Sequence, residues 1–344
     1  MEFCMKMTAG MGAADDYITL AEAGANEVFC GFVPLEWNLK FGNGMPLNRR
    51  EVLFYHVQIG SYNEMKILKN MQKKYHVPVA VTFNALYYTE EQIQMILGIL
   101  ERLIEIGFRD FIIADPGLML SVKRKNLPCN IHMSGEIGEW NCNTIKLWNE
   151  ILCGDSQDAT QLKRIIFHRK NTIADMKACV KFGRKINPKL EYEAFFLNEM
   201  CHFTGGFCNS LHCDELVHMC QMPYELVSMT DKEDNSDPIL QRWNKRWDIE
   251  EEDNLSEVPG NSGCGLCALW KLSEIGITHL KIVGRGKSIS CMKTDVENVK
   301  KAIELLRESR TEREYISDMK RQLFKGKCSG NCYYREISDE MNRQ

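Results

Sequence analysis

The sequence predicts an α/β fold, a (β/α)8 barrel of the TIM type. Three observations carry the prediction. Strand-like and helix-like segments alternate with a regular beat, giving eight strand–helix units over roughly 300 residues. The strand segments are apolar runs without polar alternation, as in a parallel sheet buried on both faces. The first βα loop lacks a G-x-G-x-x-G, which disfavours the open dinucleotide-binding sheet that the same alternation would permit.

The units follow in order. Phe3–Met7 reads as the first strand, Gly10–Asp16 as a loop and Tyr17–Ala23 as a helix ending at Gly24. Glu27–Gly31 is the second strand, followed by a polar loop from Pro34 to Arg50 whose Gly-Asn-Gly is a turn signal. As a phosphate cradle that turn is weak, since no helix start with a lysine follows it. Ser61–Tyr75 is an amphipathic helix whose Ser61 and Glu64 form a capping box. Val77–Asn84 is strand three, and Thr89 with Glu90, Glu91 and Gln92 starts a helix that runs to Ile106 and stops at Gly107. Asp110–Ala114 is strand four, closed by Asp115-Pro116, which starts the next helix. Cys129–Met133 is strand five and Trp140–Leu152 its helix; Leu162–His168 is strand six and Thr172–Ile186 its helix. Leu190–Leu197 is strand seven. After a long excursion, Leu266–Ile275 is a short helix, His279–Val283 is strand eight and Thr294–Ser309 is the last helix. The expected organisation is a barrel over 1–310 with a cysteine-rich insertion at 198–267, then a short charged tail over 311–344.

The cysteines carry the chemistry. Cys201, Cys208, Cys213 and Cys220 fall in the loop after strand seven, and Cys264 and Cys267 follow in GNSGCGLCALW. Soft thiolates gathered from loops at a strand end suit an iron–sulfur cluster or a zinc ion. Ordinary buried cysteine, which packs as a small hydrophobe, would account for one or two of the six but poorly for all of them among so many glycines. His202, His212 and His218 lie among these thiols and keep zinc open as the metal. Cys4, Cys30, Cys129, Cys153 and Cys179 sit in apolar patterns and are expected in the core. Cys328 and Cys332 lie in the tail, which reads as flexible, although the pair could bind a second metal with a partner chain. The segment from Asp231 to Pro259, with Trp243 and Trp247 at a spacing that shares a helical face, reads as a surface excursion or lid, or equally as a plain solvated loop.

Composition excludes several classes. The chain is 44% hydrophobic and 26% charged, as in a soluble globular protein. No apolar run approaches the ~18 residues of a membrane span. The start, MEFCMKMTAGMGAADDY, does not read as a signal peptide. Fifteen cysteines without such a leader point to a reducing, cytoplasmic setting, with metal binding favoured over disulfides. The formal net charge of −4 gives no bulk argument for nucleic acid. There is no HExxH and no GxSxG to support a hydrolase.

Several stretches resemble the peptidase U32 family, also called the collagenase-like protease family. They are AEAGANEVFCG, SYNEMKILKNMQKKYHVPVAVTFNALYY, DFIIADPGLML, IHMSGEIGEWN, EYEAFFLNEMCHFTGGFC and GITHLKIVGRGKS. The most specific are the Glu-rich strand leading into Cys201-x6-Cys208 and the Lys281-Ile282-Val283-Gly284-Arg285 strand. The resemblance implies a barrel and one of two activities. One is the proteolysis recorded in the family's name. The other is oxygen-independent hydroxylation, of a tRNA uridine, an rRNA cytidine or the ubiquinone ring, with a [4Fe–4S] cluster and, in the RNA cases, prephenate as oxygen donor. The implied cluster ligands are Cys201, Cys208, Cys220 and one of Cys264 and Cys267. Cys264 is favoured by its distance from the Gly-Ile before strand eight, and Cys267 by its Gly-Leu-Cys context. Cys213 is a spare or replacement. The family's usual Cys-x-x-Pro-Cys is here Cys220-Gln221-Met222-Pro223-Tyr224, so only its first cysteine is present.

In a barrel the chemistry sits at the C-terminal strand ends. Asn84, Asp115, His132, Ser134, Glu136, His168, Arg169, Lys281 and Arg285 fall at or near such ends, and Glu193 on strand seven. Arg169 and Arg285 would suit a dicarboxylate such as prephenate, because guanidinium binds carboxylate bidentately; they would equally suit RNA phosphate. His132 is a candidate general acid or base, Glu193 and Lys281 are site candidates, and an ordinary buried ion pair is the alternative for both. The expected function is a cluster-bearing redox enzyme or hydroxylase. A metal-dependent or cysteine peptidase and a non-catalytic cluster-bearing partner subunit are the competing readings. Small-molecule, RNA and peptide substrates all remain open, as do a protein partner and the oligomeric state.

Overall fold

The computed structural model describes residues 5–42, 46–49, 57–138, 140–153, 159–201, 258–324, 328 and 330–337. Cys208, Cys213, Cys220, the three loop histidines, Trp243, Trp247, Cys4 and most of the expected insertion lie outside the described residues.

Eight parallel strands close into a barrel in sequence order. They are β1 (Lys6–Met11), β2 (Glu27–Gly31), β3 (Val79–Phe83), β4 (Asp110–Ile113), β5 (Asn130–Met133), β6 (Gln161–Ile166), β7 (Glu191–Leu197) and β8 (His279–Ile282). β1 closes the ring by pairing with β8 from Lys6–His279 to Ala9–Ile282. Helices α1 (Asp16–Ala23), α2 (Leu35–Phe41), α3 (Tyr62–Tyr75), α4 (Glu90–Ile106), α5 (Pro116–Arg124), α6 (Cys142–Cys153) and α7 (Ile173–Ile186) follow, then Leu269–Ile275 and Ile289–Glu308. The predicted barrel is the observed one.

Local chemistry explains where the helices start. Ser61, Thr89 and Thr172 each accept a bond from the backbone three residues on and are bonded back by Glu64, Gln92 and Asp175. Such capping boxes satisfy amide groups that have no partner within the helix. α4 stops at Gly107, whose φ of 112° turns the chain into β4 at little cost for glycine alone.

Four local expectations change. The first strand is Lys6–Met11 rather than Phe3–Met7, because its ladder partners on both sides begin level with Lys6 and Thr8. The loop after β2 contains α2, which starts after Pro34 and anchors itself through fully buried Trp37; exposed Leu35 and Leu39 hide its periodicity. The last barrel helix begins at Ile289, capped by Ser288. The tail is packed rather than flexible over its described part. It forms a helix at Glu312–Met319 and buries Tyr315, Ile316, Met319, Phe324, Tyr333, Tyr334 and Ile337. Tyr315 donates to the Leu266 carbonyl at 2.8 Å and Tyr334 to the Phe195 carbonyl at 2.8 Å, so the tail closes over the β7 edge.

Of the cysteines expected in the core, Cys30, Cys129 and Cys179 are buried and Cys153 is half-buried. Among the described residues no helix is long and apolar enough to cross a membrane.

Candidate functional site at the barrel mouth

The middle of the barrel is ionic. Barrel interiors are ordinarily filled by layers of branched aliphatic side chains. Here Arg164, fully buried on β6, reaches across the ring to Glu27 on β2, four strands away. Its guanidinium bonds Glu27 Oε2 at 2.8 Å, Glu191 Oε2 at 2.7 Å and Glu193 Oε2 at 2.8 Å. The other Glu193 oxygen takes Lys281 Nζ at 2.7 Å, and that ammonium sits 3.9 Å from the centre of the Phe29 ring. Burial alone would raise the Glu193 carboxyl, but Lys281 and Arg164 hold it down at about 2. It is therefore ionised throughout the neutral range.

His279 completes the network. Arg164 Nη2 lies 2.9 Å from His279 Nε2, and Thr278 Oγ1 lies 2.8 Å from its Nδ1. A guanidinium has only donors, so Nε2 must accept and the proton sits on Nδ1. Burial, then the Arg164 charge, lower His279 to about 4. Against an unfolded value of about 6.5, the unfolded chain binds the extra proton first as pH falls. Stability from His279 is therefore complete above pH 6.5 and is lost as pH falls towards 4. Between pH 6.5 and 5 the expected loss is about 2 kcal/mol. Urea unfolding at the two pH values measures it, with H279Q as the variant that flattens the profile; equal pH sensitivity in H279Q would contradict the assignment.

A second network lies beside the first. Asp110 Oδ1 accepts from Lys163 Nζ at 2.8 Å and Asn130 Nδ2 at 3.0 Å, and lies 3.2 Å from His132 Nε2. His132 is buried, and its Nδ1 has no hydrogen-bond partner among the described residues. Burial opposes the Asp110 charge, yet His132 and Lys163 keep its carboxyl below the usual range.

Above these networks, the strand ends bring arginines together. Arg169, just past β6, bonds Glu136 Oε1 at 2.7 Å, while Arg49 Nε lies 3.3 Å from Glu136 Oε2. Arg169 thus hydrogen-bonds one oxygen of this carboxylate, and Arg49 pairs with the other by charge. Arg169 also stacks on Phe195, with Cζ 3.8 Å from the ring centre, and donates from Nε to the Glu199 carbonyl at 3.1 Å. Burial works against its charge, and Glu136, Tyr333 and Cys201 more than restore it, so the guanidinium stays protonated. Just past the end of β8, Arg285 donates to Thr82 Oγ1 at 2.9 Å, and Thr82 donates to Asn48 Oδ1 at 2.7 Å. Gly31 lets Arg285 and Gln58 approach this close: a Cβ there would stand 2.6 Å from Arg285 Nη1 and 1.5 Å from Gln58 Oε1. Both side-chain polar atoms of Gln58 are buried without a hydrogen-bond partner among the described residues.

The turn after β7 delivers Cys201 to this rim. Asn198 and Glu199 both have left-handed backbone, with φ of 67° and 52°. Such conformations cost non-glycine residues energy and persist where the surroundings fix them. Asn198 is fixed by donating to Val283 O at 3.1 Å and to Asp295 Oδ2 at 2.7 Å, and by accepting from Lys287 at 2.8 Å. Cys201 then lies within electrostatic reach of Arg169.

The residues singled out from sequence divide accordingly. Arg169, Arg285, Glu136 and Cys201 are at the mouth. Asn84 Oδ1 accepts from the Arg49 backbone at 3.2 Å, Ser134 caps the short turn that carries Glu136, and His168 precedes Arg169. Asp115 is spent on caps, accepting from Leu118 and Tyr88 amides at 2.8 and 2.7 Å. His132, Glu193 and Lys281 lie lower, in the ionic networks. Cys264 and Cys267 face the tail at the β7–β8 edge. Arg49 and Gln58 were missed, because nothing in the loop between β2 and α3 marks which of its polar residues turn inward. Arg164 was missed too, though a charged residue inside the apolar run LKRIIFH was a usable signal.

The sequence model of the family described as Peptidase family U32 matches residues 12–343. No curated protein matches the chain. A solved structure described as a U32 peptidase is similar at 7% identity, over 58% of this chain and 70% of that one, with a TM-score of 0.41. Another, 2,3-dimethylmalate lyase, a member of the PEP mutase/isocitrate lyase superfamily, is similar at 9% identity over 92% of this chain and 83% of that one, with a TM-score of 0.35. Likeness this faint says nothing about chemistry.

Proposed function

The chain belongs to peptidase family U32, and from that premise we propose an iron–sulfur enzyme that grips a carboxylate-bearing small molecule at the barrel mouth. The reaction would be an oxygen-independent hydroxylation or a related redox step, with prephenate as the candidate oxygen donor. The observation that supports this most is the pair Arg49 and Arg169 on one carboxylate, with Cys201 within reach of Arg169 and Arg285 buried just past the end of β8. Guanidinium forks match carboxylates, and burial makes their bonds stronger than in water. Glu136 occupies them in the resting protein, and a substrate carboxylate would compete for the same forks.

Cys201, Cys208 and Cys220 would hold a [4Fe–4S] cluster, with Cys264, Cys267 or Cys213 as fourth ligand. Cys201 fits that role in chemistry and place: a soft donor on the rim, within electrostatic reach of Arg169. Cys264 fits less well, being buried against Cys267 and the tail. A bound cluster would supply an electron relay or a Lewis acid. Arg169 and Arg285 would orient the anion, and the stack on Phe195 would hold the Arg169 plane. Glu193, Lys281 and Arg164 would set a fixed charge pattern below.

Peptidase activity is the competing reading, and it calls for no carboxylate ligand. Calorimetric titration of the anaerobically purified protein with prephenate separates them. Salt-sensitive binding is expected, with R169A weakening it by about 10- to 100-fold, the equivalent of one charged hydrogen-bond pair. R169K should recover only part of this, since lysine lacks the planar fork. Absence of binding, or equal affinity in R169A, would overturn the assignment.

A further inference from the structure

Four thiols converge at the edge where the tail meets the barrel. Cys264 and Cys267 come from the loop before the Leu269–Ile275 helix, and Cys328 and Cys332 from the tail. Together they line one small cavity with Phe324 and Tyr334. None of the four is in a disulfide. Their spacings are C-x2-C and C-x3-C, both within the range of zinc-binding knuckles. The pairs are 60 or more positions apart in sequence, so only the fold brings them together.

The backbone joins the two knuckles directly. Cys264 and Cys332 form a parallel bridge, in which the Cys264 amide donates to Asn331 O at 2.8 Å and the Tyr333 amide donates to Cys264 O at 2.8 Å. Lys320 lies within electrostatic reach of Cys267. The cavity has about 10 Å³ of room, one water-sized sphere. That is room for a single ion. Among the described residues no three donors stand at ligand geometry. Cys328 is the exposed member, so binding would draw its knuckle inward.

We propose that Cys264, Cys267, Cys328 and Cys332 form a structural zinc site, separate from the mouth, that staples the C-terminal segment to the β7–β8 edge. Four thiolates with no open position make a tetrahedral structural site. The staple acts on the mouth through two hydroxyls: Tyr333 donates to Asn198 O and Tyr334 to Phe195 O. Both carbonyls belong to the turn and strand that present Cys201 and the Phe195 ring under Arg169. With Cys264 and Cys267 committed here, the fourth mouth ligand falls to Cys213.

Metal analysis of the full chain, purified without oxygen from zinc-supplemented cells, tests the site. About one zinc per chain is expected, whether or not iron is present. C328S/C332S should lose the zinc, keep its iron and sulfide, and become sensitive to protease in the tail. C201S should lose iron and keep zinc. Should C328S/C332S fail to fold, the wild-type chain loaded with cobalt should show the intense visible absorption of a tetrahedral thiolate site. Zinc retained in C328S/C332S, iron lost with it, no tetrahedral cobalt spectrum, or a wild type whose tail thiols are protected by disulfides rather than metal would each overturn the proposal. Failure of the iron–sulfur reading would instead show as missing iron with zinc intact.

Discussion

Replacing Arg164 by leucine is expected to destabilise the barrel by about 3–5 kcal/mol, a large part of the stability of a typical domain. The reason is what leucine leaves behind. Arg164 is fully buried and bonds Glu27, Glu191 and Glu193 at once. Without it three carboxylates crowd the barrel centre, with Lys281 as the nearest remaining cation on Glu193. They must then take up protons or admit water, and either disrupts the packed interior. His279 would also lose the donor at its Nε2. Leucine combined with E27Q and E191Q, with Glu193 left to pair with Lys281, should recover part of the loss, because removing both sides of a buried ionic network is far cheaper than removing one. Urea unfolding followed by circular dichroism measures all of these variants. A loss below about 1 kcal/mol for R164L would mean the network is not the buried, closed unit described.

Serine in place of Cys201 is expected to cost most of the iron. Of Cys201, Cys208, Cys213 and Cys220, Cys201 lies within the described residues: it follows a left-handed turn fixed by Asn198 and is within electrostatic reach of Arg169. A hydroxyl is a harder donor than a thiolate and stays protonated near neutral pH, so it makes a poor iron ligand. Iron should fall from about four to below about one per chain on anaerobic purification. The fold should survive, since Cys201 is on the rim and half-exposed. Full iron occupancy in C201S with unchanged absorbance would move the cluster away from this strand end.

The barrel was legible in the sequence because its signals are local and repeated. Apolar runs such as Glu27–Gly31 and capping boxes at Ser61, Thr89 and Thr172 each mark an element without reference to its neighbours. β1 was placed too early because its limits are set by its partners β2 and β8, and pairing across the ring leaves little trace in the strand itself. The site was half legible for the same reason. Arg169 and Arg285 could be found from their positions after strands. Their partners could not: Arg49 meets Glu136 from 87 positions away, and Arg285 meets Thr82 from 203. Glu193 and Lys281 read as site candidates or as a buried pair, and the Arg164 network shows how both are held in the core. The tail pair read as free thiols or as half of a metal site shared with a partner chain, because what brings it to the cavity with Cys264 and Cys267 exists only in the folded chain.

The most direct measurement is iron and acid-labile sulfide, counted together with zinc on protein purified without oxygen. The account predicts about four iron and four sulfide per chain, with broad visible absorbance, and about one zinc from the tail site. Zinc without iron or sulfide would contradict the cluster and return the mouth to hydrolytic chemistry.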